Sequence, residues 1–237
     1  MSTNLMKSLA TWGIAQDLKL PYAHMERMSE LSYLRRLLQL LKIDCVLDVG
    51  ANIGQFASEL RGIGYEGQIV SFEPISSVFK TLSSNFAADR RWKGYNMALG
   101  RADAEMTIHV PKLTVMSSLL ESGRDEPGMR KETVQVKTLD GMLSQLKAEL
   151  GVSRIFLKMD TQGYDLEVFG GARSCLPDIL GLQSELSVQP LYKGMPHYVE
   201  SLQTYESAGF ELYNLSVVNR IETGGLLELN CFMRKPG

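Results

Sequence analysis

The sequence predicts an α/β fold on a mostly parallel sheet, from three observations. Residues 45–50, 69–73 and 155–160 are short apolar runs that end at a glycine, before a proline or in an acid, the pattern of strands buried on both faces. The first two are each followed by a turn and a helically spaced segment, residues 55–62 and 76–86, and consecutive strand–helix units call for a parallel sheet. At the far end, residues 210–217 and 226–233 are separated by Glu222-Thr223-Gly224-Gly225. That connection is too short for a crossover helix, so the last strand runs antiparallel to its predecessor.

Taken in order, residues 27–42 carry leucines at 31, 34, 37, 38 and 41 with Arg35, Arg36 and Gln39 opposite, which predicts a helix packed on its own domain. The stretch before it, including Leu20-Pro21-Tyr22, reads as a looser extension. Residues 45–50 form the first strand and 55–62 its helix; 69–73 and 76–86 repeat the unit, with Ser76 as the helix cap. Residues 95–99 are the third core strand. Residues 105–110 and 133–137 alternate as strands and form a β-rich insertion between the third and fourth core strands. A helix over 139–150, with Thr138 and Asp140 at its cap, returns the chain to the strand 155–160. Helix 166–172, strand 179–185 and helix 198–208 precede the last two strands. The division is an N-terminal helical extension, 1–42, packed on the main α/β domain, 43–237.

A chain of 237 residues with 44% hydrophobic and 22% charged residues has the composition of a folded domain and not of a disordered one. The net charge of −2 gives no footprint for an extended phosphate backbone, so no nucleic acid is expected as partner. Cys45, Cys175 and Cys231 lack CxxC spacing and read as buried thiols, not as a disulfide framework or zinc cage. No run reaches the roughly 20 apolar residues of a membrane span, and no cleavage pattern follows residues 8–15. The expected location is cytoplasmic.

Asp48-Val49-Gly50-Ala51-Asn52-Ile53-Gly54 lies where the first strand meets its helix, the edge at which open α/β sheets bind ligands. Gly50 permits positive φ, Gly54 leaves the helix start bare, and the exposed N–H groups can hold a carboxylate. Glu73 ends the second strand roughly 20 residues on, where an acid can accept both ribose hydroxyls. Together these describe a ligand with an adenosine and a carboxylate. Asn52 stands where the dinucleotide fingerprint needs glycine, and no GxxxxGK[ST] occurs, which counts against NAD and against ATP on a P-loop.

The Asp48–Gly54 run resembles motif I of class I methyltransferases, in the wording of the FkbM-type family. Phe72-Glu73-Pro74, Ala98-Leu99-Gly100, Ser117-Ser118-Leu119, Val136-Lys137-Thr138-Leu139-Asp140 and Phe156-Leu157-Lys158-Met159-Asp160 with Gly163 and Gly171-Ala172 are similar to its successive landmarks. The stretch 182–186 with Pro190-Leu191-Tyr192 resembles a bacterial subset associated with polysaccharide or secondary-metabolite pathways. The resemblance implies a Rossmann-like, seven-stranded sheet with an antiparallel last strand. It also implies S-adenosylmethionine as cofactor, a small-molecule or glycan hydroxyl as acceptor, and cofactor contacts at Asp48, Gly50, Asn52, Gly54, Glu73 and Ala98. One departure stands out: Thr161-Gln162-Gly163 replaces the Val-Glu-Gly frequent in the family, so metal dependence and a base at that position are not carried over.

The sulfonium activates the methyl group, which leaves the protein to align an oxygen and receive its proton. Asp160 and Glu185 end the fourth and fifth core strands at the catalytic edge. Each fits a catalytic role or a cap on the following turn. Lys158 shares a face with Asp160 and either orients a carboxylate or substrate, or pairs structurally with an acid. His197, after Gly194-Met195-Pro196, is either a proton acceptor or an exposed loop histidine. Tyr192 either lines a sugar pocket or closes the core edge. His109 has no partner at metal-ligand spacing, so no metal site is expected. Ser117 and Ser118 lack a nucleophile elbow. N-methylation, a catalytically silent S-adenosylmethionine-binding protein and a nucleotide-dependent oxidoreductase are the competing readings.

Overall fold

The computed structural model describes residues 22–110, 130–190 and 194–236. Among them, seven strands form one sheet in the order β3 (Trp92–Tyr95), β2 (Gln68–Phe72), β1 (Cys45–Val49), β7 (Ile155–Met159), β8 (Ile179–Ser187), β10 (Leu226–Arg234), β9 (Glu211–Arg220), and three form a smaller sheet in the order β4 (Ala98–Leu99), β6 (Arg130–Lys137), β5 (Ala104–Val110). In the main sheet β1 (Cys45–Val49) pairs in parallel with β2 (Gln68–Phe72) on one side and β7 (Ile155–Met159) on the other. β3 (Trp92–Tyr95) and β8 (Ile179–Ser187) extend the parallel set. β10 (Leu226–Arg234) runs antiparallel to both β8 and β9 (Glu211–Arg220), as the short Glu222–Gly225 connection requires. The strand order reverses between β1 and β7, and in open α/β sheets the crevice at that switch point is where ligands bind.

Every residue of β1 and β7 is buried because helices cover both faces. Helix α1 (Tyr22–Leu40) lays Leu34, Leu37 and Leu38 on Val46, Phe156 and Phe232, as its leucine spacing predicts. Burying each of these side chains contributes roughly 1.5–3 kcal/mol, so the stripe ties the extension to the sheet. Helix α2 (Gln55–Gly62) adds Phe56, Ala57 and Leu60 to the same core. α3 (Ser76–Asn85) contributes Leu82 beside them. On the opposite face Leu47, Leu157 and Leu182 pack under α4 (Leu139–Leu150), α5 (Asp165–Gly170) and α6 (Tyr198–Ser207) through Leu143, Phe169 and Tyr205. The three cysteines are free and buried.

The predicted strand over 95–99 is corrected. Tyr95 closes β3 opposite Phe72, whereas β4 (Ala98–Leu99) pairs with Val136 and Lys137 in the smaller sheet. The bend between them is held by Asn96, whose Nδ2 donates to the carbonyls of Glu73 and Pro74, both at 2.9 Å. β5 (Ala104–Val110) and β6 (Arg130–Lys137) complete the insertion as an antiparallel pair. Ile108 and Val134 join Ile75 and Val78 in a small core, so the insertion is packed on the turn after β2.

The reading of Ser76 as a cap is also corrected. Ile75 holds the cap position of α3 without a side-chain bond, while Ser76 N donates to Glu132 Oε1 of β6 at 3.0 Å. A carboxylate from the insertion thus satisfies one free N–H of that helix. Thr138 does cap α4, its Oγ1 accepting from Gly141 N at 3.2 Å. Asp140 instead accepts from Ser174 N and Cys175 N at 2.9 Å, bracing the turn after α5. Among the described residues no helix is long and apolar enough to cross a membrane.

Candidate functional site

The site begins at the turn after β1. Gly50 has φ +77°, and a Cβ there would lie 2.0 Å from the carbonyl oxygen of Asp160. The β1 turn and the end of β7 therefore touch backbone to backbone, which only glycine allows. Gly50 N and Ala51 N both donate to Phe72 O at 3.1 Å, locking the turn to the end of β2 as well. Asn52 takes φ +48° and its Oδ1 accepts from Ile53 N at 2.8 Å, the local bond through which asparagine tolerates the left-handed region. Gly54, at φ +95°, precedes α2, and a Cβ there would meet Phe86 at 2.3 Å.

Glu73 is only 4% exposed, beyond the end of β2. Its Oε2 accepts from Asn52 N and its Oε1 from Ile75 N, both at 2.9 Å. One N–H per oxygen leaves each with acceptor capacity for a ligand hydroxyl. Burial pushes this carboxyl up to about 7, against the two N–H bonds that favour its charge.

A second charged centre lies under Gly50. Lys158 Nζ sits 2.9 Å from Asp48 Oδ1, 3.3 Å from Gly50 O and 3.7 Å from Asp160 Oδ2, over the ring of Phe56. Burial works against the ammonium, yet the carboxylates of Asp48 and Asp160 hold its pKa above the usual lysine value. Asp48, expected as a cofactor contact, is 0% exposed, and its carboxylate faces Lys158 and Ser71.

Over this edge opens a cavity of about 250 Å³. Gly50, Asn52, Glu73, Ala98, Lys158 and Asp160 all line it. The wall beside Glu73 is apolar, made by Pro74, Ile75, Leu99 and Ile108, so the insertion supplies part of it. Asp160, with a side chain 44% exposed, reaches the cavity, and among the described residues no turn N–H donates to it. Asp165 serves the turn instead. Its Oδ1 accepts from Thr161 N at 2.9 Å and Thr161 Oγ1 at 2.5 Å, and its Oδ2 from Ser184 Oγ at 2.8 Å and Glu185 N at 3.1 Å.

Two expected catalytic groups stand back from the cavity. Glu185 accepts from Gln162 Nε2 at 2.9 Å, and it is Gln162 that lines the wall. Burial, then the charges of Asp160 and Glu228, push the Glu185 carboxyl well above its ordinary range. His197 is exposed, precedes α6, leans on Tyr198 and does not line the cavity. Tyr192, Ser117 and Ser118 lie outside the described residues, as does the side chain of His109. Sequence reading missed Arg27 of α1, Gln183 of β8 and Asn230 of β10, which line the other side of the cavity. Arg27 sits within a regular helix and carries no motif, and Gln183 lies in the 182–186 stretch, where Glu185 drew the attention as the strand-end acid. Among the described residues there is no cluster of three or more His, Cys, Asp or Glu suited to a metal ion.

The family model described as the methyltransferase FkbM domain matches residues 48–212. No curated protein matches the chain. Solved structures of similar fold include the methyltransferase domain of bacterial CtHen1, at 10% identity, covering 90% of this chain and 100% of that one, with a TM-score of 0.49. Magnesium protoporphyrin IX methyltransferase from Synechocystis PCC 6803, with bound SAM, is 7% identical over 92% of this chain and 85% of its own, TM-score 0.49. Fibrillarin from Aeropyrum pernix, with natively bound S-adenosyl-L-methionine, is 12% identical over 80% and 66%, TM-score 0.44.

Proposed function

We propose, on the premise that this chain belongs to the methyltransferase FkbM domain family, that it moves a methyl group from S-adenosylmethionine to a hydroxyl of a sugar, glycan or secondary metabolite. The observation that carries the donor assignment is Glu73, a buried carboxylate lining the cavity beside the Gly50 turn, with acceptor capacity left on both oxygens. A ribose supplies two adjacent hydroxyls to such a group. The apolar wall of Ile75, Leu99 and Ile108 suits a flat base.

When bound, the sulfonium supplies a methyl group already activated for transfer. The chain's own work is then to hold an acceptor oxygen in line and to take its proton. Asp160 takes that proton in this reading, which is supported by its facing the cavity and by Lys158 at 3.7 Å, a cation for it to orient against. Lys158 is itself fixed by Asp48 and Gly50 O, so the pair is held from beneath the turn.

Calorimetric titration with S-adenosylhomocysteine and, separately, NAD tests the donor assignment. Binding of the first and not the second is expected; the reverse overturns it. A screen of hydroxylated sugars, lipids and polyketides with S-adenosylmethionine then looks for a mass gain of one methyl group. Methylation only of amines would replace the oxygen acceptor with nitrogen.

A further inference from the structure

Beyond Lys158 the cavity continues between α1, α2 and the middles of β8 and β10, where Arg27, Gln55, Glu59, Gln183 and Asn230 line it. Arg27 and Asn230 lie outside residues 48–212, the stretch matched by the family model. Two features of this half single out a ligand chemistry. The first is the cation. Lys158 is 5% exposed and committed to Asp48, whereas the Arg27 side chain is 38% exposed and faces the cavity. Its Nε and Nη2 donate to Glu59 and its Nη1 donates to Glu30 at 2.5 Å, which leaves one N–H on each terminal nitrogen. Glu30, almost fully buried, also accepts from Asn230 Nδ2 at 3.0 Å, so the guanidinium is held in a fixed place.

The second feature is an acceptor. Gln183 is 3% exposed and stands beside Lys158 in the β7–β8 register. Among the described residues no donor reaches its Oε1. A buried amide oxygen without a donor is costly unless a ligand supplies one.

We propose that this half of the cavity is a clamp for an α-amino-acid zwitterion, in which Arg27 takes the carboxylate and Gln183 Oε1 takes the ammonium. The inference rests on the donor assignment above, since S-adenosylmethionine and S-adenosylhomocysteine both end in such a group. It adds that α1, outside the family-matched stretch, reads the donor. The surrounding charge selects a zwitterion over a simple anion: Glu59 and Glu30 flank Arg27 and would repel a phosphate, whereas an ammonium beside the carboxylate meets acidic surroundings.

The test compares S-adenosylhomocysteine with 5′-methylthioadenosine, which keeps the adenosine and sulfur but lacks the amino acid. Wild-type protein is expected to bind the first more tightly. Arg27→Gln should weaken S-adenosylhomocysteine by about 10–100-fold and Gln183→Met by about tenfold, with 5′-methylthioadenosine changed less than about twofold. The second ligand thus doubles as the control for folding. Equal loss of both ligands in both variants would make these residues structural and overturn the clamp. Equal wild-type affinity for both would overturn it while leaving the donor assignment standing. Failure of wild-type protein to bind either ligand removes the donor assignment and the clamp together.

Discussion

Lys158 Nζ lies 2.9 Å from Asp48 Oδ1, with both side chains almost sealed from solvent directly beneath the Gly50 turn. The two residues are register partners on adjacent parallel strands, so the pair bridges β1 and β7 at the switch point. Removing one partner leaves an uncompensated buried charge, which typically costs 3–5 kcal/mol. Asp48→Ala and Lys158→Met should each destabilise the fold by about that amount. The double variant Asp48→Leu/Lys158→Met should lose far less than the sum. Urea denaturation of the three variants checks this, and additive losses would show that the two groups do not act as a pair.

Glu73 makes donor binding pH-dependent near neutrality. Its carboxyl is pushed up to about 7 by burial, so the protein carries a proton there below that pH. Ribose hydroxyls donate to the ionised form, and binding therefore drives the proton off. The sign follows: affinity for S-adenosylhomocysteine is full above the pKa and falls as pH drops through it, by about tenfold between pH 8 and pH 6. Glu73→Gln should bind more weakly and with a flat profile. Titration calorimetry in buffers of different ionisation enthalpy should also detect proton release near pH 7 for wild type only. A flat wild-type profile would remove Glu73 from the ribose.

Gly50 and Gly209 separate conformational strain from contact. Both have positive φ, +77° and +86°, but a Cβ at 209 meets nothing within 4 Å while one at 50 meets Asp160 O at 2.0 Å. Gly209→Ala should cost about 1–2 kcal/mol for the left-handed backbone alone. Gly50→Ala should cost about 1–3 kcal/mol beyond that, because the turn must part from β7, and donor affinity should fall with it. Equal melting temperatures for the two variants would show that the β1–β7 contact is soft.

The same contact shows what the sequence could and could not disclose. Strand and helix positions were legible because apolar periodicity reports burial, and Gly50 and Glu73 because a tight turn and a strand-end acid stand out locally. The burial of Asp48 was not legible, because its partner Lys158 lies 110 positions away. Nor was the setting of Glu185, whose partner Gln162 is the one that lines the cavity. Arg27 and Asn230 were invisible because their common partner, Glu30, unites a helix near the start with a strand near the end. Long-range pairing of polar groups leaves no periodic trace.

Asp160 and Asp165 are two carboxylates after β7 with contrasting surroundings. Of the two, only Asp160 is read from sequence as a candidate turn cap. In the fold, Asp165 takes four hydrogen bonds, from Thr161 N, Thr161 Oγ1, Ser184 Oγ and Glu185 N, while Asp160 faces the cavity with Lys158 at 3.7 Å. Asp165→Asn replaces one accepting oxygen with a donor in a buried, fully committed network, so it should lose about 1–3 kcal/mol of stability. Asp160→Asn keeps the shape and perturbs no such network, so its melting temperature and S-adenosylhomocysteine affinity should stay near wild type. If Asp160 receives the acceptor's proton, the same variant should lose roughly 10²–10⁴-fold in turnover. Turnover also separates the two ways of being wrong. A loss below about tenfold would leave Asp160 an orienting group, since general-base assistance is worth more than that. Wild-type turnover in Asp160→Asn would take the residue out of the mechanism altogether.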